Sequence, residues 1–69
     1  MTEYVVIYES DEDGWSAYLP DLPGCVAAAA TREDAETSIR EAVEMHVTGL
    51  REAGMAMPPA TTVAGTVAA

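Results

Sequence analysis

The chain has 69 residues, 49% of them hydrophobic, with twelve acidic residues against three arginines and no lysine, for a net charge of −9. A length of this order makes one small domain, with a stability of roughly 3–10 kcal/mol and only about 60% of the unfolded surface buried, so a partner or a second copy would add substantially. The hydrophobic content excludes a disordered tail, and the acidity disfavours direct binding to nucleic acid, whose phosphates it repels.

The charge is unevenly placed. Residues 1–31 carry Glu3, Glu9, Asp11, Glu12, Asp13 and Asp21 and no base; the other six acids share residues 32–52 with Arg32, Arg40 and Arg51; nothing after Glu52 is charged. Such a field attracts a basic partner and speeds its encounter, although acidity also serves solubility alone. A single cysteine, Cys25, rules out an internal disulfide and a thiolate zinc cluster. No apolar run approaches the ~20 residues of a membrane helix and no signal pattern opens the chain, so the expected location is cytoplasmic.

In chain order, Tyr4–Tyr8 reads YVVIY, rich in β-branched and aromatic side chains, and predicts a strand. Ser10–Gly14 is a turn of short acceptors closed by a glycine. Trp15–Leu19 is the return strand. Folding the two strands symmetrically about that turn pairs Ile7 with Ala17 and Val5 with Leu19. Alternation then places Val5, Ile7, Trp15, Ala17 and Leu19 on a core face, and Tyr4, Val6, Tyr8, Ser16 and Tyr18 on an open aromatic one.

Pro20-Asp21-Leu22-Pro23-Gly24 holds two residues that cannot donate to a ladder and reads as a rigid loop. Cys25–Ala29 reads as a third strand, with the start of a helix as its alternative. Thr31 then suits an N-cap, followed by Glu33, Asp34 and Glu36 near the positive end of the helix dipole. Ala35, Ile39, Ala42, Val43, His46, Val47 and Leu50 trace one apolar stripe at helical spacing. Arg51 falls in the last turn, Gly54 suits C′, and Pro58-Pro59 prevents resumption. Glu36 and Arg40 are spaced for an i,i+4 pair of ~0.3 kcal/mol. Thr62–Val67 either adds a fourth edge strand or frays.

The expected fold class is α+β: an antiparallel sheet of three to four strands with one long helix on one face. One domain spans 1–69, with a core of about 3–54 and a Pro-containing tail over 55–69. A single helix covers one side of the sheet. The uncovered aromatic side makes Tyr4, Val6 and Tyr8 candidates for an interface in a homodimer or higher oligomer.

Catalytic chemistry has little material here. His46 lies on the apolar stripe, where a core or interface histidine is the plainer reading than a base. Cys25 has no neighbouring base in sequence to activate it and reads as an inert thiol. Asp11-Glu12-Asp13-Gly14 opens like a calcium loop, but the fifth position is Trp15 and the twelfth is Leu22, so no metal site is expected. Tyr4, Tyr8 and Tyr18 resemble a base-stacking platform, yet such platforms work in basic surroundings, and this half of the chain holds no basic residue. No catalytic residue, metal or cofactor is assigned.

Several pieces in this order resemble one family. The strand YVVIYE, the turn DEDGW, the block AYLPDLPGC, the helix TREDAExxIREAVE and the closing AGMAMPP are similar to HicB-type antitoxins, including short stand-alone members. The match runs from residue 3 to about 60, and PDLPGC at its distance from a D-G-aromatic turn is its most specific part. The resemblance implies a partial ribonuclease H-like fold without the nuclease's metal carboxylates. It also implies a role in a type II toxin–antitoxin pair, neutralising a basic HicA-type toxin: a small ribonuclease with a catalytic histidine. Many HicB proteins continue into a DNA-binding domain, whereas this chain ends at Ala69, so operator binding is not expected. Ala27–Ala30 also stands where polar or glycine residues are usual.

The expected function is therefore an antitoxin and not an enzyme, with Asp11, Glu12, Asp13 and Asp21 steering the toxin and Trp15, Tyr18, Leu22 and Pro23 as apolar contacts. A self-associating scaffold domain of the same fold is the alternative. A residual metal-dependent hydrolase is the third and weakest reading.

Overall fold

The computed structural model describes residues 2–69. Three antiparallel strands, β1 (Ile7–Asp11), β2 (Gly14–Tyr18) and β3 (Val26–Ala29), form a sheet in the order β1-β2-β3, followed by one helix, α1 (Arg32–Glu52). Three strands and one long helix stand in the order expected from the sequence, and the run after Cys25 is a strand, but β1 lies three residues later than Tyr4–Tyr8 and takes in Ser10 and Asp11 of the expected turn. Among the described residues, no fourth strand forms after the helix.

The hairpin register differs from the symmetric one by a single residue. Tyr8 pairs with Ala17, Ile7 with Tyr18, and Asp11 with Gly14. Only Glu12 and Asp13 lie between the strands, so the pairing is centred between them and not on Glu12. The Asp11 side chain causes this: its Oδ1 accepts from the backbone N–H of Asp13 at 2.8 Å and of Gly14 at 3.1 Å. Gly14 has φ +139°, and a Cβ there would lie 2.6 Å from the Ala29 carbonyl oxygen, so only glycine starts β2 without strain.

A one-residue slip exchanges the two faces of a strand. Tyr4, Val6 and Tyr8, expected on the open face, pack against the core cluster, and Ile7 joins Tyr18 on the far side of the sheet. Strand β1 also begins later than expected. A turn at Leu19, whose carbonyl accepts from the Leu22 N–H at 3.3 Å, ends β2's course. Residues 4–6 then lie outside the strand, with Tyr4 and Val6 beside the helix.

The helix follows its signals closely. The Thr31 side chain accepts from the Asp34 N–H at 3.2 Å. At the other end Gly54 (φ +69°) is the left-handed residue. The Gly54 N–H bonds the Arg51 carbonyl at 3.1 Å and the Met55 N–H bonds the Leu50 carbonyl at 2.9 Å, a Schellman closure. Ala35 and Ile39 are fully buried, and Val43, Val47 and Leu50 pack on the same core. The ion pair described on α1 is Arg32–Glu36 at 3.2 Å, where the sequence suggested Glu36–Arg40. Arg32 also lies 5.4 Å from the Tyr8 ring centroid, which holds it within reach of Glu36.

The core is small: Ala17, Leu19, Leu22, Cys25, Ala35 and Ile39. It sits between the helix and one face of the sheet, leaving the other face bare. Among the described residues, no helix is long and apolar enough to cross a membrane.

Candidate binding surface

The hairpin end carries a run of acids with no base among them. Asp11, Glu12 and Asp13 are all exposed. Asp11 spends one oxygen on its own turn; among the described residues, the Glu12 and Asp13 side chains make no hydrogen bond or ion pair. Beside them, Asp11, Asp13, Gly14, Trp15, Ser16 and Ala29 line a shallow hollow of about 410 Å³. Trp15 is half-buried there, on the helix side of the sheet opposite Ala29. Acids thus rim an apolar hollow, a combination suited to a cationic side chain with an aliphatic stem.

The second loop is different. Leu22 is completely buried, so it holds the loop to the core and offers no surface to a partner. Its carbonyl accepts from the Cys25 N–H at 3.3 Å, closing a second turn. Pro23 is exposed. Asp21 is committed within the molecule. Its Oδ2 accepts from the N–H groups of Thr61 (2.9 Å) and Thr62 (2.7 Å). Its Oδ1 accepts from their hydroxyls at 3.2 and 2.8 Å. These bonds, led by those from Thr62, hold the Asp21 carboxyl below the usual aspartate range. The C-terminal segment is tied again where the Tyr4 hydroxyl donates to the Pro58 carbonyl at 2.7 Å.

Of the residues singled out in the sequence, Asp11, Glu12, Asp13 and Trp15 therefore come together at the hairpin end. Tyr18 sits on the bare sheet face, Pro23 on the other loop, and Leu22 and Asp21 serve the fold. Tyr4, Val6 and Tyr8 line a groove between the N-terminal segment and α1, together with Leu19, Ile39 and Val43. The groove is closed on one side by the helix, which removes the open-sheet argument for self-association through these three residues.

Burial raises the Cys25 thiol, which leaves it protonated and unreactive at neutral pH. His46 is half-buried and packs toward the turn at Gly24, with Cε1 3.9 Å from where a Cβ at Gly24 would lie. Among the described residues, no three His, Cys, Asp or Glu side chains group as a metal site.

What the sequence reading missed is on the bare face: Ile7, Glu9 and Val26. Asp11, three residues before Gly14, was the available signal, since an Asx-closed two-residue turn fixes the register. Thr61 and Thr62 carried no comparable signal, because their partner lies forty residues away.

Residues 4–69 match the HicB-like antitoxins of bacterial toxin–antitoxin systems. The chain belongs to this family. An uncharacterised 14.9 kDa protein from the rep–hol intergenic region of Haemophilus phage HP1 is 33% identical over 55 residues, covering 80% of this chain and 41% of the phage protein. A UPF0150 protein of Helicobacter pylori is 39% identical over 41 residues, 59% of this chain and 57% of that protein. A UPF0150 protein of Thermoplasma acidophilum is 33% identical over 57 residues, covering 81% of this chain and 83% of its own length. The HicB-like chain thus spans about half the length of the phage and Helicobacter relatives and most of the archaeal one. No solved structure matches. Membership supports an antitoxin role.

Proposed function

We propose that this HicB-like chain neutralises a small basic ribonuclease toxin of the HicA type by binding it, without catalysing a reaction itself, in the cytoplasm. The observation that carries the reading is the separation of charge on the fold. All three arginines lie on or at the end of α1, whereas Glu3, Glu9, Asp11, Glu12 and Asp13 are exposed on the N-terminal segment and hairpin with no base among them. A surface of one sign raises the rate at which an oppositely charged protein finds it and rejects RNA and other anions. A basic ribonuclease must expose positive charge to hold RNA, so the same charge that serves its substrate brings it to this hairpin. Once docked, the antitoxin's acids occupy the place of phosphates and exclude the RNA.

The test is co-expression of the untagged chain with the tagged basic protein encoded beside it. The reading expects a stoichiometric complex in which RNA cleavage by the neighbour is lost. A soluble, folded chain that leaves the neighbour free and active overturns it.

A further inference from the structure

The helix covers one face of the sheet, and the opposite face carries an ordered set of side chains that the hairpin acids alone do not explain. Ile7 pairs with Tyr18 and Tyr18 with Val26, so these three stand in one row across β1, β2 and β3. Tyr18 is 40% exposed and Val26 68% exposed. The next row, Glu9–Ser16–Ala28, is exposed throughout and adds one acid. Beyond it comes the closing pair Asp11–Gly14 and then Glu12 and Asp13. Apolar surface therefore grades into acidic surface along about 13 Å of strand, on a layer to which no arginine belongs.

We propose that this outer sheet face is the docking surface for a basic protein, with the Ile7–Tyr18–Val26 row as its apolar anchor and Glu9 and the hairpin acids as its charged rim. The proposal rests on the toxin-binding reading above and adds where on the molecule the toxin sits. Charge selects this occupant over a second copy. Two chains of net charge −9 repel one another, and pairing through this face buries the Glu9 carboxylates of both on strands that offer them no arginine. Size points the same way. Two strands of five residues and one of four, about 4.8 Å apart, present roughly 220 Å² of face, against the ~800 Å² per partner of a stable interface. A basic partner gains the remainder by continuing over the acidic hairpin, where a second copy is repelled. A tyrosine at the centre of the row suits the role, since tyrosines are enriched among residues that dominate binding energy.

The experiment uses the full chain and, as probe, the basic protein encoded beside it. Affinity is measured for wild type, for Tyr18→Ser/Val26→Lys, for Val26→Lys alone, and for Val63→Lys, a position 87% exposed on the C-terminal tail. The double variant is expected to lose roughly 30-fold or more in affinity, the single Val26→Lys to lose part of that, and Val63→Lys to bind as wild type. Val26→Lys changes an exposed side chain, so it keeps the test available if the double variant fails to fold. Wild-type affinity in both outer-face variants, with weakened binding when Glu12 and Asp13 are neutralised, overturns this surface and leaves the antitoxin reading standing. Absence of binding by wild type overturns both. A wild-type dimer in sedimentation that Val26→Lys converts to monomer assigns the face to self-association and also overturns the proposal.

Discussion

The two loops that flank β2 look alike in sequence and do opposite work. The hairpin turn Asp11–Gly14 and the Pro20–Gly24 loop are both short, acidic and glycine-closed, and both suggest recognition. In the folded chain the first points outward, with Glu12 and Asp13 exposed. The second points inward, with Leu22 sealed in the core and Asp21 bonded to Thr61 and Thr62. A loop's partner decides its role: Asp11 finds donors two and three residues away and fixes a turn, whereas Asp21 finds them forty and forty-one residues away and fixes a tail.

Substitution should separate the loops sharply. Leu22→Ala removes a fully buried side chain and should destabilise the chain by about 2–5 kcal/mol, read as a lower midpoint in denaturant with an unchanged slope. In a domain this small that approaches the whole margin, and loss of cooperative folding is the extreme form of the same result. Stability within 1 kcal/mol of wild type would mean that the loop is not anchored as described. Gly14→Ala places a Cβ against the Ala29 carbonyl at a φ of +139° and should cost about 1–3 kcal/mol while disturbing the β2–β3 pairing. Glu12→Gln/Asp13→Asn, by contrast, should change stability by no more than about 0.5 kcal/mol. A larger loss would show that the hairpin acids, too, are structural.

The Asp21 clasp adds a pH dependence of defined direction. Because its folded pKa lies below the unfolded value of about 3.9, the clasp contributes its full stabilisation above that value and loses it as pH falls through the lower folded one. The Thr61 and Thr62 amide resonances should therefore stay fixed from neutral pH down to about 4 and move only below it. Asp21→Asn should weaken their protection from hydrogen exchange already at neutral pH. Amides that exchange freely in wild type would remove the clasp.

The elements were largely legible in the sequence because their causes are local. Thr31, the three- and four-residue spacing from Ala35 to Leu50, and Gly54 with Pro58-Pro59 each specify part of the helix without help from the rest of the chain. The hairpin was legible as a hairpin, but its register turned on one side chain. Symmetric folding about Ser10–Gly14 ignored the Asp11 carboxylate, and the resulting slip of one residue exchanged Tyr4, Val6 and Tyr8 with Ile7. The proposed surface was legible in charge and only partly in position: alternation placed Tyr18 on an open face, where it lies, whereas the neighbours Glu9 and Val26 needed the register. The roles of Leu22 and Asp21 depend on contacts between residues far apart in sequence, for which no periodicity or spacing is a guide.

The central claim, that the acidic hairpin draws a basic partner to this chain, is tested most directly by the association rate of the pair as ionic strength is raised. The account predicts fast association at low salt that slows by about tenfold or more as salt screens the charges. It also predicts a lower, flatter rate for Glu12→Gln/Asp13→Asn, with dissociation little changed. Identical rates for wild type and variant, independent of salt, would contradict it.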